Sequence, residues 1–175
     1  MRNAAQVLAM LLMAGTPAIA EDSCANVPDI AKAYLNAHPG WRILRVADLY
    51  SDDQHLWRQY HKGKCPGLAE VDLDGSGTMF VGLALIRPDK SAAQERIVVV
   101  RAGPKEIETQ TLYRDFEVTT HTVIWRAPPG ITWQWDEPNK KIRIANDSLI
   151  VETMESSAQQ FYLKNGKLAY IQTSD

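Results

Sequence analysis

Hydrophobic positions change their period along this chain. Val7 to Ala14 is continuous apolar sequence, whereas Ile30, Ala33, Tyr34 and Ala37 recur at i, i+3, i+4 and i+7. That second spacing predicts a helix with one apolar stripe. Asn26 is placed to cap it, with Pro28 tolerated in the first turn and Asp29 favourable against the helix dipole. His38-Pro39-Gly40 ends it, because Pro39 disfavours a helical His38 and Gly40 allows a sharp reversal. Trp41 to Val46 reads as a short strand or an extended link. Ser51 and Gln54 have capping-box spacing for a second helix, on which Leu56, Trp57 and Tyr60 form an aromatic face and which Gly63 stops.

Beyond the second helix the pattern is that of strands. Met79 to Ile86 is apolar almost throughout, as a central strand covered on both faces requires. Arg96 to Arg101 is rich in β-branched residues, and Ala102-Gly103-Pro104-Lys105 turns the chain into Ile107 to Tyr113. Thr119 to Trp125 is strand-like, Pro128-Pro129-Gly130 interrupts it, and Ile131, Trp133 and Trp135 alternate with polar residues. Lys141 to Ile144 alternates again, and Asn146-Asp147 suits a hairpin turn into Leu149-Ile150-Val151. Gln159 to Leu163 and Leu168 to Ile171 flank Lys164-Asn165-Gly166-Lys167, whose Asn-Gly pair favours positive φ at both central residues. Consecutive hairpins imply an antiparallel meander. The expected fold is therefore α+β: one or two N-terminal helices packed on an antiparallel sheet of about six to eight strands.

The first twenty residues alter the domain picture. Arg2, the apolar run Val7 to Ala14 and the small-x-small Ala18-Ile19-Ala20 form a secretory signal peptide, predicted to be removed after Ala20. The run is too short to span a bilayer, which takes about 20 residues. Glu21 rather than Cys follows the cut, which argues against a lipid anchor. Residues 21–175 are then one domain, exported to the periplasm or beyond and not embedded in a membrane. Setting aside Arg2 from 19 basic residues leaves 18 against 21 acidic ones, a net charge of −3 for that domain. No basic run exceeds Lys140-Lys141, so the electrostatic footprint of a nucleic-acid binder is missing. Cys24 and Cys65 are the only cysteines. In an oxidising compartment they are expected to pair, closing a loop of about 42 residues worth about 4 kcal/mol in the chain-entropy account.

Between the helices and the strands lies an acidic glycine loop. Asp72, Asp74 and Ser76 occupy alternate positions, and Gly75 and Gly77 permit a tight bend. Hard oxygen ligands at that spacing suit Ca²⁺. A helix-loop-helix calcium site needs a bidentate Glu at its twelfth position, which here is Leu83. The alternative is a turn whose Asp side chains accept backbone N–H bonds. Val71 to Val81 resembles a single FG-GAP/VCBS-type motif, an acidic glycine turn feeding an apolar strand. Proteins with many such repeats form β-propellers that often bind calcium in those loops. One copy in a chain of this length makes no propeller. Its placement after Cys65-Pro66-Gly67, with a closing hairpin Phe161 to Gly166 that runs to Thr173-Ser174-Asp175, is similar to small exported bacterial proteins. The resemblance covers about a third of the chain and implies no activity. It departs from the calcium-binding pattern where Thr78-Met79-Phe80 replaces a further Asp. No cofactor is expected, and weakly held Ca²⁺ at Asp72, Asp74 and Ser76 is the one ion this loop suits.

No catalytic constellation stands out. Gly75-Ser76-Gly77 lacks the spacing of a nucleophile elbow, and no H-E-x-x-H or paired-cysteine zinc spacing occurs. His55 and His61 are about 600° apart around a helix, so they read as a solvated face. His38 and His121 read as structural. Glu70, Glu152 and Glu155 are available to a hydrolase that gathers carboxylates across strands, without a signal that raises them. The segment Trp125-Arg126 through Trp133 and Trp135 has two readings. Its rings are core if that strand face is covered. If it is open they make a platform beside Arg126 for a sugar, a peptide or a protein. The expected function is a non-enzymatic interaction module that binds a protein or envelope component, an inhibitor or immunity protein against an envelope enzyme being one form. An exported hydrolase and a calcium-dependent β-module are the alternatives.

Overall fold

The structure, a computed structural model, describes residues 23–88, 94–117 and 120–174; the expected leader, 1–20, lies outside them. The chain runs through α1 (Asp29–Ala37), β1 (Arg42–Ile43), a 3₁₀ turn (Val46–Asp48), α2 (Ser51–Tyr60), β2 (Leu68–Val71), β3 (Phe80–Arg87), β4 (Gln94–Ala102) and β5 (Ile107–Glu117). There follow β6 (Thr122–Ala127), β7 (Gly130–Gln134), β8 (Glu137–Ile144), β9 (Ser148–Thr153), β10 (Ser157–Lys164) and β11 (Lys167–Ser174). Every strand pair is antiparallel. The sheet-dominated α+β class stands, with two helices and a disulfide joining Cys24 to Cys65 at 2.01 Å.

The strands do not make one sheet. β3, β4 and β5 form one, with β1 and β2 sharing the free edge of β3; β11, β10, β9 and β6 form a second; β7 and β8 form a separate ribbon. The alternation of β3 shows why. Phe80, Ala84 and Ile86 join a core that contains Ile124, Leu149, Val151 and Phe161 of the second sheet. Val81, Leu83 and Leu85 join another, made with Ala31 and Tyr34 of α1, Trp41 and the disulfide. The first sheet is thus a middle layer between α1 and the second sheet, and β3 is buried from Phe80 to Ile86. The guanidinium groups of Arg87 and Arg96 both lie over the Trp41 ring, 4.6 and 4.4 Å from its centre.

Several local expectations shift. Pro28, not Asn26, stands at the N-cap of α1, and no side chain caps it. Ala31 and Tyr34 are its buried residues, while Ala33 and Ala37 face solvent. Tyr50 is the N-cap of α2, so Ser51 falls inside the helix and the Ser51/Gln54 box does not form; the Gln54 amide donates instead to Leu49 O at 2.9 Å. Trp57 is buried but Tyr60 is exposed. Asn146-Asp147 does not close a hairpin, because β8 pairs with β7 and β9 with β10 and β6. The Asn165-Gly166 turn forms as its sequence requires, with φ of 53° and 73°.

Candidate functional site

The β7–β8 ribbon has the register Ile131↔Arg143, Thr132↔Ile142 and Trp133↔Lys141. Cross-strand partners share a face, so Ile131, Trp133, Lys141 and Arg143 form one face, and all four are exposed. Ile131 is 62% and Trp133 49% accessible, and Lys141 Nζ lies 4.6 Å above the Trp133 ring. Thr132, Ile142 and Ile144 turn the other way and are half-buried or buried. A register shift after Trp133 ends the alternation. Trp135 consequently leaves the strand for the turn, remains exposed, and donates its backbone N–H to Gln172 O of β11 at 2.9 Å. Of the two readings of Trp133 and Trp135, the buried one is overturned. Exposed Tyr170 sits two residues before Gln172 on β11.

Trp125 and Arg126 are not part of that face. They lie on β6, beside a groove of about 610 Å³ also lined by His61, Lys64, Leu68 and Glu70. The half-buried Trp125 indole donates to Glu152 Oε2 at 2.9 Å, and its ring centre is 5.1 Å from that of His61. His61 in turn stacks on Trp57 at 4.1 Å. Thus His61 is part of an aromatic cluster and not of a solvated helix face, while His55 is exposed. The Trp57/His61 spacing is the i, i+4 relation of a helix end, but the approach of Trp125 from another sheet has no sequence signal. Arg126 Nε is 2.8 Å from Asp147 Oδ2, so this guanidinium is committed to a carboxylate that is only 4% exposed.

Burial lowers the His61 imidazole from its ordinary value of 6.5, against a smaller upward pull from Glu152. Below 6.5 the unfolded chain therefore binds a proton that the folded chain refuses, and stability falls as pH drops until the folded-state value is passed. Urea midpoints at neutral and mildly acid pH should show this slope, and His61→Gln should flatten it. An unchanged slope in the variant would assign the acid sensitivity elsewhere.

In the glycine loop all three expected oxygen ligands turn to the loop's own amides. Asp72 Oδ2 accepts from Gly77 N at 3.0 Å, Asp74 Oδ1 from Ser76 N at 3.0 Å, and Ser76 Oγ from Thr78 N at 3.1 Å. Hydrogen bonds from Ser76 hold the Asp74 carboxyl below its ordinary value, with Arg101 adding to the effect. The loop is docked from outside, since Asp72 N donates to Asp147 Oδ2 at 3.0 Å and the Asn146 amide to Leu73 O at 3.2 Å. Asp72 Oδ1 is buried without a hydrogen-bond partner. Among the described residues no three His, Cys, Asp or Glu side chains are grouped to hold a metal.

One pair escaped the sequence reading. Glu95, at 1% exposure, places Oε1 2.5 Å from His121 Nδ1, and both its oxygens accept from Thr122 N at 3.2 Å. The two residues are 26 positions apart, on strands of different sheets or beside them. A carboxylate that orients an imidazole is half of the usual base-and-orienter arrangement. Of the other acids, Glu70 lines the Trp125 groove, Glu152 holds the Trp125 indole, and Glu155 sits in the β9–β10 turn with φ 57°. His38 closes α1 by stacking on Tyr34, with Nδ1 2.8 Å from Tyr34 O. Comparison of the chain with protein-family profiles, with characterised proteins and with solved structures gives no match.

Proposed function

We propose that the protein is a non-enzymatic interaction module, exported to the periplasm or beyond, that docks on a component of the cell envelope through the open face of the β7–β8 ribbon. One observation carries this reading. Ile131 and Trp133 stay exposed on a face whose opposite side supplies the packing, although burial of such side chains is worth about 1.5–3 kcal/mol each. Surface apolar groups held together on a strand pair, with cations beside them, have the composition of recognition surfaces. The disulfide agrees with an oxidising compartment. No helix among the described residues is long and apolar enough to cross a membrane.

Affinity capture from envelope extract tests the reading. Wild type should retain its binding component, and a Trp133→Ala/Trp135→Ala variant of unchanged melting temperature should lose most of it. Equal recovery by the two proteins would remove the ribbon from the function. A second reading, an exported hydrolase, is favoured by the Glu95–His121 pair, a carboxylate that orients an imidazole.

A further inference from the structure

The ribbon face also indicates what it docks on, and this step rests on the function proposed above. The geometry points to an anionic lipid surface as the partner of Ile131, Trp133, Lys141 and Arg143. Cross-strand pairing sets each apolar residue directly opposite a cation, Ile131 against Arg143 and Trp133 against Lys141. The face therefore carries two large apolar groups and two positive charges, and none of its four residues is acidic. Glu137 lies past the register shift, where its Oε1 is 2.8 Å from Lys140 Nζ. The whole chain is net negative, at −2, so this face opposes the sign of the molecule that bears it. An anionic surface would attract it and repel the remainder, which fixes the orientation of approach.

The residue types suit a bilayer interface in particular. A Trp indole prefers the headgroup level, where one end of the ring is apolar and the other wet. Aliphatic side chains enter the acyl boundary while Lys and Arg remain with the phosphates. Exposed Trp135, at the end of the ribbon, adds one more side chain of interfacial type. The grooves beside Trp125, beneath Phe80 and beside Tyr113 are lined by residues of other elements. The ribbon thus offers a rim of apolar and cationic side chains that can lie on a surface.

Co-sedimentation of the purified protein with vesicles tests this. Vesicles of phosphatidylcholine mixed with phosphatidylglycerol should bind it, vesicles of phosphatidylcholine alone should bind it far less, and added salt should weaken the binding. Lys141→Glu or Arg143→Glu should each reduce the partition coefficient about fivefold or more, and Ile131→Ser/Trp133→Ser about tenfold or more. Melting temperatures should stay near wild type, because all four side chains are exposed. Loss on charge reversal with full binding by the Ile131→Ser/Trp133→Ser variant would mean simple electrostatic adsorption and overturn the inference. Failure to bind anionic vesicles, with a protein still captured from extract in a Trp133-dependent way, would overturn the lipid partner and leave the proposed function standing. Failure of both experiments would overturn both.

Discussion

Gly67→Ala should cost more than about 3 kcal/mol, the upper end of overpacking. A Cβ built on Gly67 would lie 2.6 Å from Leu44 O, 2.7 Å from Leu44 N and 2.8 Å from Ala84 O. These are backbone atoms, and no rotamer change moves them aside. The same backbone segments are tied together by hydrogen bonds, Leu44 N to Ala84 O and Ala84 N to Gly67 O, both 3.0 Å. The preceding residue extends the hub, since Pro66 O accepts Ile124 N of the second sheet at 2.8 Å. Cys65, one position earlier, holds the start of α1 through the disulfide. Three consecutive residues therefore join the helix layer and both sheets. Gly82→Ala is the control. Its Cβ would meet Leu149 Cδ1 and Cδ2 at 2.9 and 3.0 Å and Ile124 Cδ1 at 3.3 Å, all tips of flexible side chains, and a loss of about 1–3 kcal/mol is expected. Urea denaturation of both variants checks the order, and a Gly67→Ala protein as stable as Gly82→Ala would remove Cys65–Gly67 from the centre of the fold.

What was legible in the sequence is what neighbouring residues decide among themselves. The Asn165-Gly166 turn needs only two residues of suitable φ. The disulfide needs only the cysteine count and a compartment. The continuous apolar run of β3 announces burial on both faces, as found. What was not legible depends on partners distant in sequence. Asn146-Asp147 has the composition of a hairpin turn, yet Asp147 is drawn inward by Arg126 and by the amide of Asp72, and the strands it joins pair elsewhere. Alternation in Ile131, Trp133 and Trp135 shows two faces but not which is covered. That depends on what lies beside β11, and a register shift invisible in composition removes Trp135 from the series. The division of the strands into two sheets and a ribbon likewise depends on contacts distant in sequence, such as Ile124 N to Pro66 O, that no local pattern contains.

The same non-locality hid Glu95 and His121, whose separation should have the second large effect. His121→Ala is expected to cost about 1–3 kcal/mol, the range for leaving a buried hydrogen-bonding group without its partner. Glu95 at 1% exposure would be left with only the shared Thr122 amide at 3.2 Å to replace both water and the imidazole. Because the asymmetry lies in the orphaned carboxylate, removing both groups should be milder than removing the imidazole alone. Glu95→Leu/His121→Ala should recover part of the loss, and the non-additivity in a double-mutant cycle measures the pair. Additive single effects would show that the 2.5 Å contact contributes nothing. Turnover separates the two functions this pair allows. If it only ties the start of β4 to the start of β6, a panel of esters and glycosides is hydrolysed no faster by wild type than by buffer, and His121→Asn changes melting alone. If wild type turns over a member of that panel and His121→Asn abolishes it at a temperature where the variant is folded, the imidazole is a base oriented by Glu95. The protein would then be an enzyme, and the ribbon would serve to place it on the surface proposed for it.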